Sequence, residues 1–501
     1  MKNRILVASS LLALMLVAAP SYAAADTEKE IAILKEQIAK LTKKIDQMES
    51  QTRKEKAEAK KTSATVTAAA PLPAAPAPAT DKTTLSSTPA PKTASTASPV
   101  NEDEVVTKGS FPGSFHIPGT STSVKLGGYV KLDLVENIGV GYDQSYARFF
   151  MIPLGNTAAA DRSSQTTFSA QQSRVNFETR TASSLGEIKT FVEGDFYGAS
   201  GTNSNTSTYG FMLRHAYGSV GTPAKGQLLA GQTWSNLMDV TAMPESIDYI
   251  GPAGTIFVRQ PQVRYTQAFG PLTLSGSVEV PANVVQATQN GIYQANPTTA
   301  GTTITNRPRM PDLIARGDYA YAKDGYVSLR AVVNQINVDK QTGTTIANES
   351  TAVAMGYGLA LSGKQGVFDK DSIVYDFVGG NGTGRYDFDV NAAAAYYSTA
   401  TGNLKTQPYY GGTFGYQHLW SDEFRSNIFG GFARILNNTG FLNATAQGAA
   451  NKFVASGHAN LIWQPAPSYK IGLEYMYGYR EVITGTDGHI NRLQGSFMYS
   501  F

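Results

Sequence analysis

From about residue 109 to the C-terminus, apolar and polar residues alternate with a period of two, segment after segment. In Val124–Leu134, Val124, Leu126, Val130, Leu132 and Leu134 share one face, while Lys125, Lys131 and Asp133 lie on the other. In Tyr469–Arg480, Ile471, Leu473, Tyr475, Tyr477 and Tyr479 oppose Lys470, Glu474 and Arg480. In Ser173–Arg180, Val175 and Phe177 oppose Arg174, Asn176, Glu178 and Arg180. Successive side chains of a strand point to opposite faces, so each segment is a strand with one oily and one charged face. A soluble sandwich and a transmembrane barrel both produce this alternation. Strand length, loop pattern and the last residues separate them.

The alternation predicts sixteen strands of about 10–14 residues each, long enough to cross a bilayer. They begin near Ser123, Ala170, Gly186, Gly210, Gly226, Thr255, Gly270, Asp312, Gly325, Thr351, Asp371, Thr406, Asp422, Asn451, Tyr469 and Ile490. Short turns alternate with long Gly/Asn/Thr-rich loops, as periplasmic turns alternate with extracellular loops in outer-membrane barrels. An even number of strands that closes leaves no sheet edge, and Tyr197, Tyr217, Trp234, Tyr265, Tyr410, Trp420, Trp463 and Tyr479 are candidates for aromatic girdles at the membrane interface. The final stretch places Phe497, Tyr499 and Phe501 in alternation, which resembles the assembly signal of outer-membrane barrels. The expected fold is all-β: a 16-stranded antiparallel transmembrane β-barrel, preceded by an α-helical coiled coil and a disordered Pro-rich linker.

The N-terminal part divides into three zones. Residues 1–25 read as a signal peptide: Lys2 and Arg4 precede an apolar run from Ile5 to Ala19, and Ala23 or Ala25 could end the cleaved segment. A run of that length is shorter than the ~20 residues of a membrane span. Residues 26–61 carry Ile31, Leu34, Ile38, Leu41, Ile45 and Met48 at alternating spacings of three and four, the seam of a periplasmic coiled-coil helix. Ile at a with Leu at d favours two strands, in tension with the trimer implied below. Residues 62–108, rich in Ala, Pro, Ser and Thr, cannot bury a core and read as a linker. Residues 109–501 form the barrel domain.

Composition removes several function classes. There is no cysteine, which excludes disulfide scaffolds, cysteine nucleophiles and cysteine-ligated metals. A net charge of +3 gives no electrostatic footprint for nucleic acid. Mean hydropathy is −0.21, so the chain is no bundle of transmembrane helices. No motif supplies the Ser/His/acid geometry of a lipase-type barrel, His215 and His418 are lone strand histidines, and neither a metal nor a cofactor is expected.

The barrel domain holds 27 Lys+Arg and 27 Asp+Glu, so any charge selectivity must come from where the charges sit. Arg174, Arg180, Arg214, Arg259, Arg264, Arg316, Arg330, Arg425, Arg480 and Arg492 fall mostly on the polar faces of their strands and form a candidate pore wall. The planar guanidinium fork suits carboxylates. The alternative is that these arginines only pair with lumen acids such as Glu178, Glu193, Asp195 and Glu474. After the fifth strand, residues 236–254 hold Asp239, Glu245 and Asp248 among prolines and glycines, a candidate constriction loop.

Several blocks resemble general trimeric porins: Ser123–Asp133, Phe191–Tyr197, Leu213–Val220, Leu228–Asp239, Gly251–Gly254 and Arg259–Tyr265. With the N-terminal seam and linker, the whole mature chain resembles the DcaP-like porins. The resemblance implies a homotrimer in the Gram-negative outer membrane, in contact with lipid and lipopolysaccharide, with the extension in the periplasm. It implies a third loop folded into the barrel and passive diffusion of small anionic solutes such as dicarboxylates. A phosphate-selective or a non-selective general diffusion porin remains the alternative. Peptidoglycan is a candidate contact of the extension.

Overall fold

The computed structural model describes residues 106–501 except 143, 156, 162–163, 199–201, 204–205, 208, 223–225, 283–284, 290–291, 295–301, 343–348, 391–393, 399–400, 437–441 and 443–446. The signal peptide, the seam from Ile31 to Met48 and nearly all of the linker lie outside the described residues.

Sixteen strands make the wall. They are β1 Thr122–Ile138, β2 Arg174–Ser183, β3 Gly186–Gly198, β4 Gly210–Gly221, β5 Gln227–Trp234, β6 Arg259–Phe269, β7 Leu272–Glu279 and β8 Asp312–Ala322. The second half is β9 Gly325–Thr342, β10 Glu349–Val367, β11 Asp371–Asn381, β12 Pro408–Leu419, β13 Phe424–Ile435, β14 Asn451–Ala466, β15 Tyr469–Val482 and β16 Asp487–Ser500. Each pairs antiparallel with the next, and β1 pairs with β16 from Tyr129↔Ser500 to Ile138↔Asn491, closing the sheet.

The packing is inverted relative to a soluble protein. On β9, Leu329 is 59% exposed on the outside while its neighbour Arg330 is 0% exposed inside. On β15, Leu473, Tyr475 and Tyr477 face outward, and Glu474 and Met476 are buried inward. A continuous apolar exterior around a polar interior is the signature of a barrel in lipid, which decides against the sandwich. Trp420, Trp463, Tyr265 and Tyr410 are exposed on this outer surface, where interfacial girdle rings belong.

Every strand starts within four residues of its predicted position. The largest offsets, four residues each, are at β2, which begins at Arg174 rather than near Ala170, and at β6, which begins at Arg259 rather than near Thr255. Residues 255–258 are apolar enough to read as strand, but they pair with a loop instead: Ile256 bridges Asp387, and the Phe257 N–H donates to the Tyr386 carbonyl at 3.1 Å. The β9–β10 ladder reaches Gln341↔Glu349, well beyond the ~9–11 residues a membrane strand needs, so this hairpin projects outside the bilayer. Above the barrel, Val285–Gln289 of the fourth loop pairs parallel with Ala395–Ser398 of the sixth.

Across the closing seam Phe497 lies opposite Leu132 and Tyr499 opposite Val130, and the Phe501 N–H donates to the Gly128 carbonyl at 3.1 Å. Deleting residues 497–501 removes those pairings and opens an edge. The truncated chain should lose the heat-modifiable band on unheated detergent gels; retention of that band at wild-type yield would show that the seam closes without them.

Candidate functional site

The long connection after β5, here L3 (residues 235–258), runs inside the barrel and is fixed to the wall along its length. Arg330 donates to the Leu237 carbonyl, and Arg316 donates to the Met238 carbonyl at 2.9 Å. Asp239 accepts from Tyr326 Oη at 2.8 Å and Ser362 Oγ at 2.5 Å, with Arg316 at 3.4 Å. Glu245 is gripped by both sides of the Arg425 fork at 2.6 and 2.7 Å and by Lys470 at 3.2 Å. Glu474 of β15 accepts from Ser246 Oγ at 2.8 Å and the Ile247 N–H at 2.9 Å, while Lys131 donates to the Ile247 carbonyl at 2.6 Å. Asp248 accepts from the Ala147 N–H at 3.0 Å beside Arg492 at 3.6 Å. Gly472 makes room for this path: a Cβ there would lie 2.6 Å from Ile247 Cγ2.

The three acids of L3 therefore touch the basic wall directly and act as its fastenings. Burial alone would raise all three carboxyls. Arg316 with Ser362 more than offsets this at Asp239, as Arg425 with Lys470 does at Glu245, and both sit below the usual carboxylate range. At Asp248 burial prevails over Arg492, and that carboxyl is raised.

The candidate arginines divide into two groups. Arg214 pairs with Glu193 at 2.8 Å and Asp195 at 2.6 Å, Arg180 with Glu178 at 2.7 Å, and Arg330 with Asp376 at 2.6 Å. Arg316 pairs with Asp318 at 2.8 Å, and Arg174 lies 3.8 Å from Glu193. Arg259, Arg264 and Arg480 make no ion pair among the described residues. Arg259 stacks 4.8 Å from the Trp234 ring centre and donates to Tyr249 Oη at 3.0 Å, with its Nη1 buried and bare. Arg264 donates to Gln262 Oε1 and to the Trp234 carbonyl. Arg480 donates to Asn451 Oδ1 and to the Ile152 carbonyl.

One functional candidate has no strand pattern to announce it. Arg148, in the first loop (L1, residues 139–164), lies 4.6 Å from the Tyr146 ring centre, with its Nε unpartnered and no ion pair among the described residues. Tyr146 meets Tyr197 at 5.1 Å and Tyr249 of L3 at 5.2 Å, and Phe388 of the sixth loop (L6, residues 382–407) packs on Phe150 and Phe257. Tyr197 and Trp234, which composition alone would place in a membrane girdle, belong to this interior cluster. Tyr197 continues the inner face of Glu193 and Asp195, and Trp234 sits where the chain turns into L3. A register shift between Glu193 and Gly194 of β3, opposite His215 and Leu213 of β4, turns both Arg214 and His215 inward, at 1% and 7% exposure; such bulges break alternation locally.

L1, L3 and L6 are joined by Asp389 of L6, beside which Asp387 is buried. Asp389 Oδ2 accepts from the Gly254 N–H at 3.1 Å and the carboxyl also meets the N–H groups of Phe149 and Phe150. Asp387 Oδ1 accepts from the Asp389 N–H at 2.9 Å. Asp387 Oδ2 and Asp389 Oδ1 have no partner, and neither acid forms an ion pair among the described residues. Two buried charges without a cation are costly. Burial pushes Asp389 up to about 7 and Asp387 well above the ordinary range, with Asp389 adding to the latter.

A closed barrel with a lipid-facing exterior and a loop fastened across its lumen is an outer-membrane porin, a passive conduit for small solutes. The chain belongs to the DcaP outer membrane protein family, whose family model matches residues 113–501. Among solved structures, it is similar to the outer membrane channel DcaP of Acinetobacter baumannii, at 23% identity and a TM-score of 0.61 over 76% of this chain and 98% of that one. An anion-selective porin from Comamonas acidovorans matches at 11% identity and a TM-score of 0.47, over 76% of this chain and 100% of that one. The trimer form of OmpT from Vibrio cholerae matches at 10% identity and a TM-score of 0.45, with the same coverages. No curated protein sequence matches.

The raised carboxyls of L6 make the loop junction pH-dependent. Groups whose folded values are raised stabilise the folded form fully below their ordinary value, here 3.8, and progressively less as pH rises through the folded value. Amide exchange in residues 383–390, corrected for intrinsic chemistry, should therefore quicken several-fold between pH 5 and pH 8. Asp389→Asn should flatten that dependence. Equal corrected protection at both pH values would show that these acids hold no protons.

Proposed function

We propose that this porin passes small anionic solutes, dicarboxylates among them, and that Arg148 and Arg259 are the cations such solutes meet where L1, L3 and L6 converge. The observation that carries this reading is the pair of guanidinium groups stacked on aromatic rings in the lumen, each with a bare N–H and no ion-pair partner. A carboxylate passing them exchanges part of its hydration for charge-assisted hydrogen bonds of about 1.5–3 kcal/mol each, strengthened by partial exclusion of water. Arg264 and Arg480 extend the unpaired basic surface. The acid-paired arginines Arg174, Arg180, Arg214, Arg316 and Arg330 serve mainly as scaffold in this reading. Lys131 and Lys470 are engaged with L3, which disfavours a lysine ladder of the phosphate-selective kind.

The assembly is read as a homotrimer in contact with lipid and lipopolysaccharide, with Phe497, Tyr499 and Phe501 as its insertion signal. The seam Ile31–Met48 is read as a periplasmic coiled coil reaching towards peptidoglycan. Unheated gels should show a band at about three times the monomer mass; a monomer by light scattering in mild detergent would remove the trimer and leave the barrel.

Replacing Arg148 and Arg259 together by Ala should move the zero-current potential in a salt gradient towards cations and weaken current block by succinate. Replacing Arg309, whose side chain is 57% exposed beside Asp339, should change little. An unaltered zero-current potential in the folded double variant would leave a non-selective porin.

A further inference from the structure

Between the root of L3 and the wall strands β4–β8 lies a pocket of about 330 Å³. It is lined among others by Tyr217, Trp234, Asn236, Met238, Arg264 and Arg316. These wall residues stand on the parts of their strands between L3 and the short turns, so the pocket opens on the periplasmic side of the constriction.

Its hydrogen-bonding groups are unbalanced in one direction. The carboxylate acceptors are occupied: Asp239 Oδ2 takes Tyr326 and Ser362, its Oδ1 takes the Thr241 N–H, and both oxygens of Asp318 take Arg316 Nε at 2.8 Å. The Asn236 carbonyl oxygen accepts from Ser275 Oγ at 3.0 Å. Among its amide and guanidinium groups, two donors are left over. Asn236 Nδ2 has no partner although the residue is 1% exposed, and a buried bare donor of this kind calls for an explanation. Arg264 uses Nε and Nη2, and its Nη1 has no partner among the described residues. These two donors therefore lack an acceptor, and one of them belongs to a guanidinium with no ion pair among the described residues. The remainder of the lining includes the Trp234 and Tyr217 rings, Leu229, Met238 and Val240.

We infer that this pocket is a second solute site on the exit side of the constriction, which holds a small carboxylate by Asn236 Nδ2 and Arg264 while a compact apolar body rests on Trp234 and Met238. The inference deepens the anion-passing reading and rests on it. A solute that has cleared L3 pauses here before release to the periplasm. Occupancy is selective for the solute's body as well as its charge, because a bare anion gains the two donors but leaves the apolar wall uncovered.

The chain has three tryptophans, and Trp420 and Trp463 are on the outer surface. With both replaced by Phe in the full-length porin, Trp234 is the one tryptophan left; because Arg259 also stacks on its ring, the pocket is assigned only a response that the Asn236 or Arg264 variants weaken. Cyclohexanecarboxylate, which does not absorb where tryptophan does, should change its emission saturably, and acetate should need at least tenfold higher concentration. Asn236→Leu, which keeps the bulk and removes the donor, should weaken cyclohexanecarboxylate about tenfold. Arg264→Met provides a second variant should Asn236→Leu fold poorly, and it should weaken binding at least as much. Absence of a saturable change, equal response to acetate, or unaltered affinity in the folded variants would overturn the exit site. The zero-current potential of the Arg148 and Arg259 double variant tests the anion-passing reading separately, so the two can fail independently.

Discussion

Hydrocarbon offers no partner for a peptide N–H or C=O, so a chain crossing it in strands must satisfy every backbone group within its own sheet. Here that requirement is met by closure: β16 returns to β1, and no edge faces lipid. The rest of the architecture follows from it. Alternation along each strand must put apolar side chains outward, where Leu329 and Leu473 are exposed, and polar ones inward, where Arg330 and Glu474 are fully buried. A polar interior is in turn what allows a loop with its own unpaired backbone groups to lie inside.

L3 exploits this. Its carbonyls at Leu237, Met238 and Ile247 are met by Arg330, Arg316 and Lys131, and its N–H at Ile247 by Glu474. These wall groups replace the water the loop would otherwise have used. Buried charges contribute favourably only when paired and hydrogen-bonded, and most wall charges meet that condition. The few without an ion pair among the described residues, Arg148, Arg259, Arg264 and Arg480, are where the proposed anion path would find an unfilled demand. Arginines that fasten the scaffold and those proposed to meet solute are thus of one residue type, and their partners alone distinguish them.

The wall was legible in the sequence because a strand in a barrel has one face in lipid and one in water, and a period of two records that directly. Misplacements occurred where the chain leaves this regime. Residues 255–258 look like strand but pair with L6, Trp234 and Tyr197 look like girdle residues but join the inner cluster, and the bulge at Arg214–His215 turns two consecutive residues inward. Arg148 had no local signal at all, since nothing in the residues around it indicates that L1 descends to meet L3.

The sequence by itself determined the sixteen strands, their order and which side of each meets lipid, because those depend on near-neighbour periodicity and on solvent. It also marked L3 as an acidic loop and the wall as rich in arginine. Only the tertiary structure decided which arginines Glu193, Asp195, Asp318 and Asp376 neutralise and which stay unpaired. It also decided that Asp239, Glu245 and Asp248 fasten the loop, and that Asp389, with Asp387 buried beside it, joins three loops with no ion pair among the described residues. The physical reason is that Coulombic and hydrogen-bonding partners are set by distances of about 3 Å between residues separated by tens to hundreds of positions, such as Arg425 and Glu245, and no local pattern carries that information.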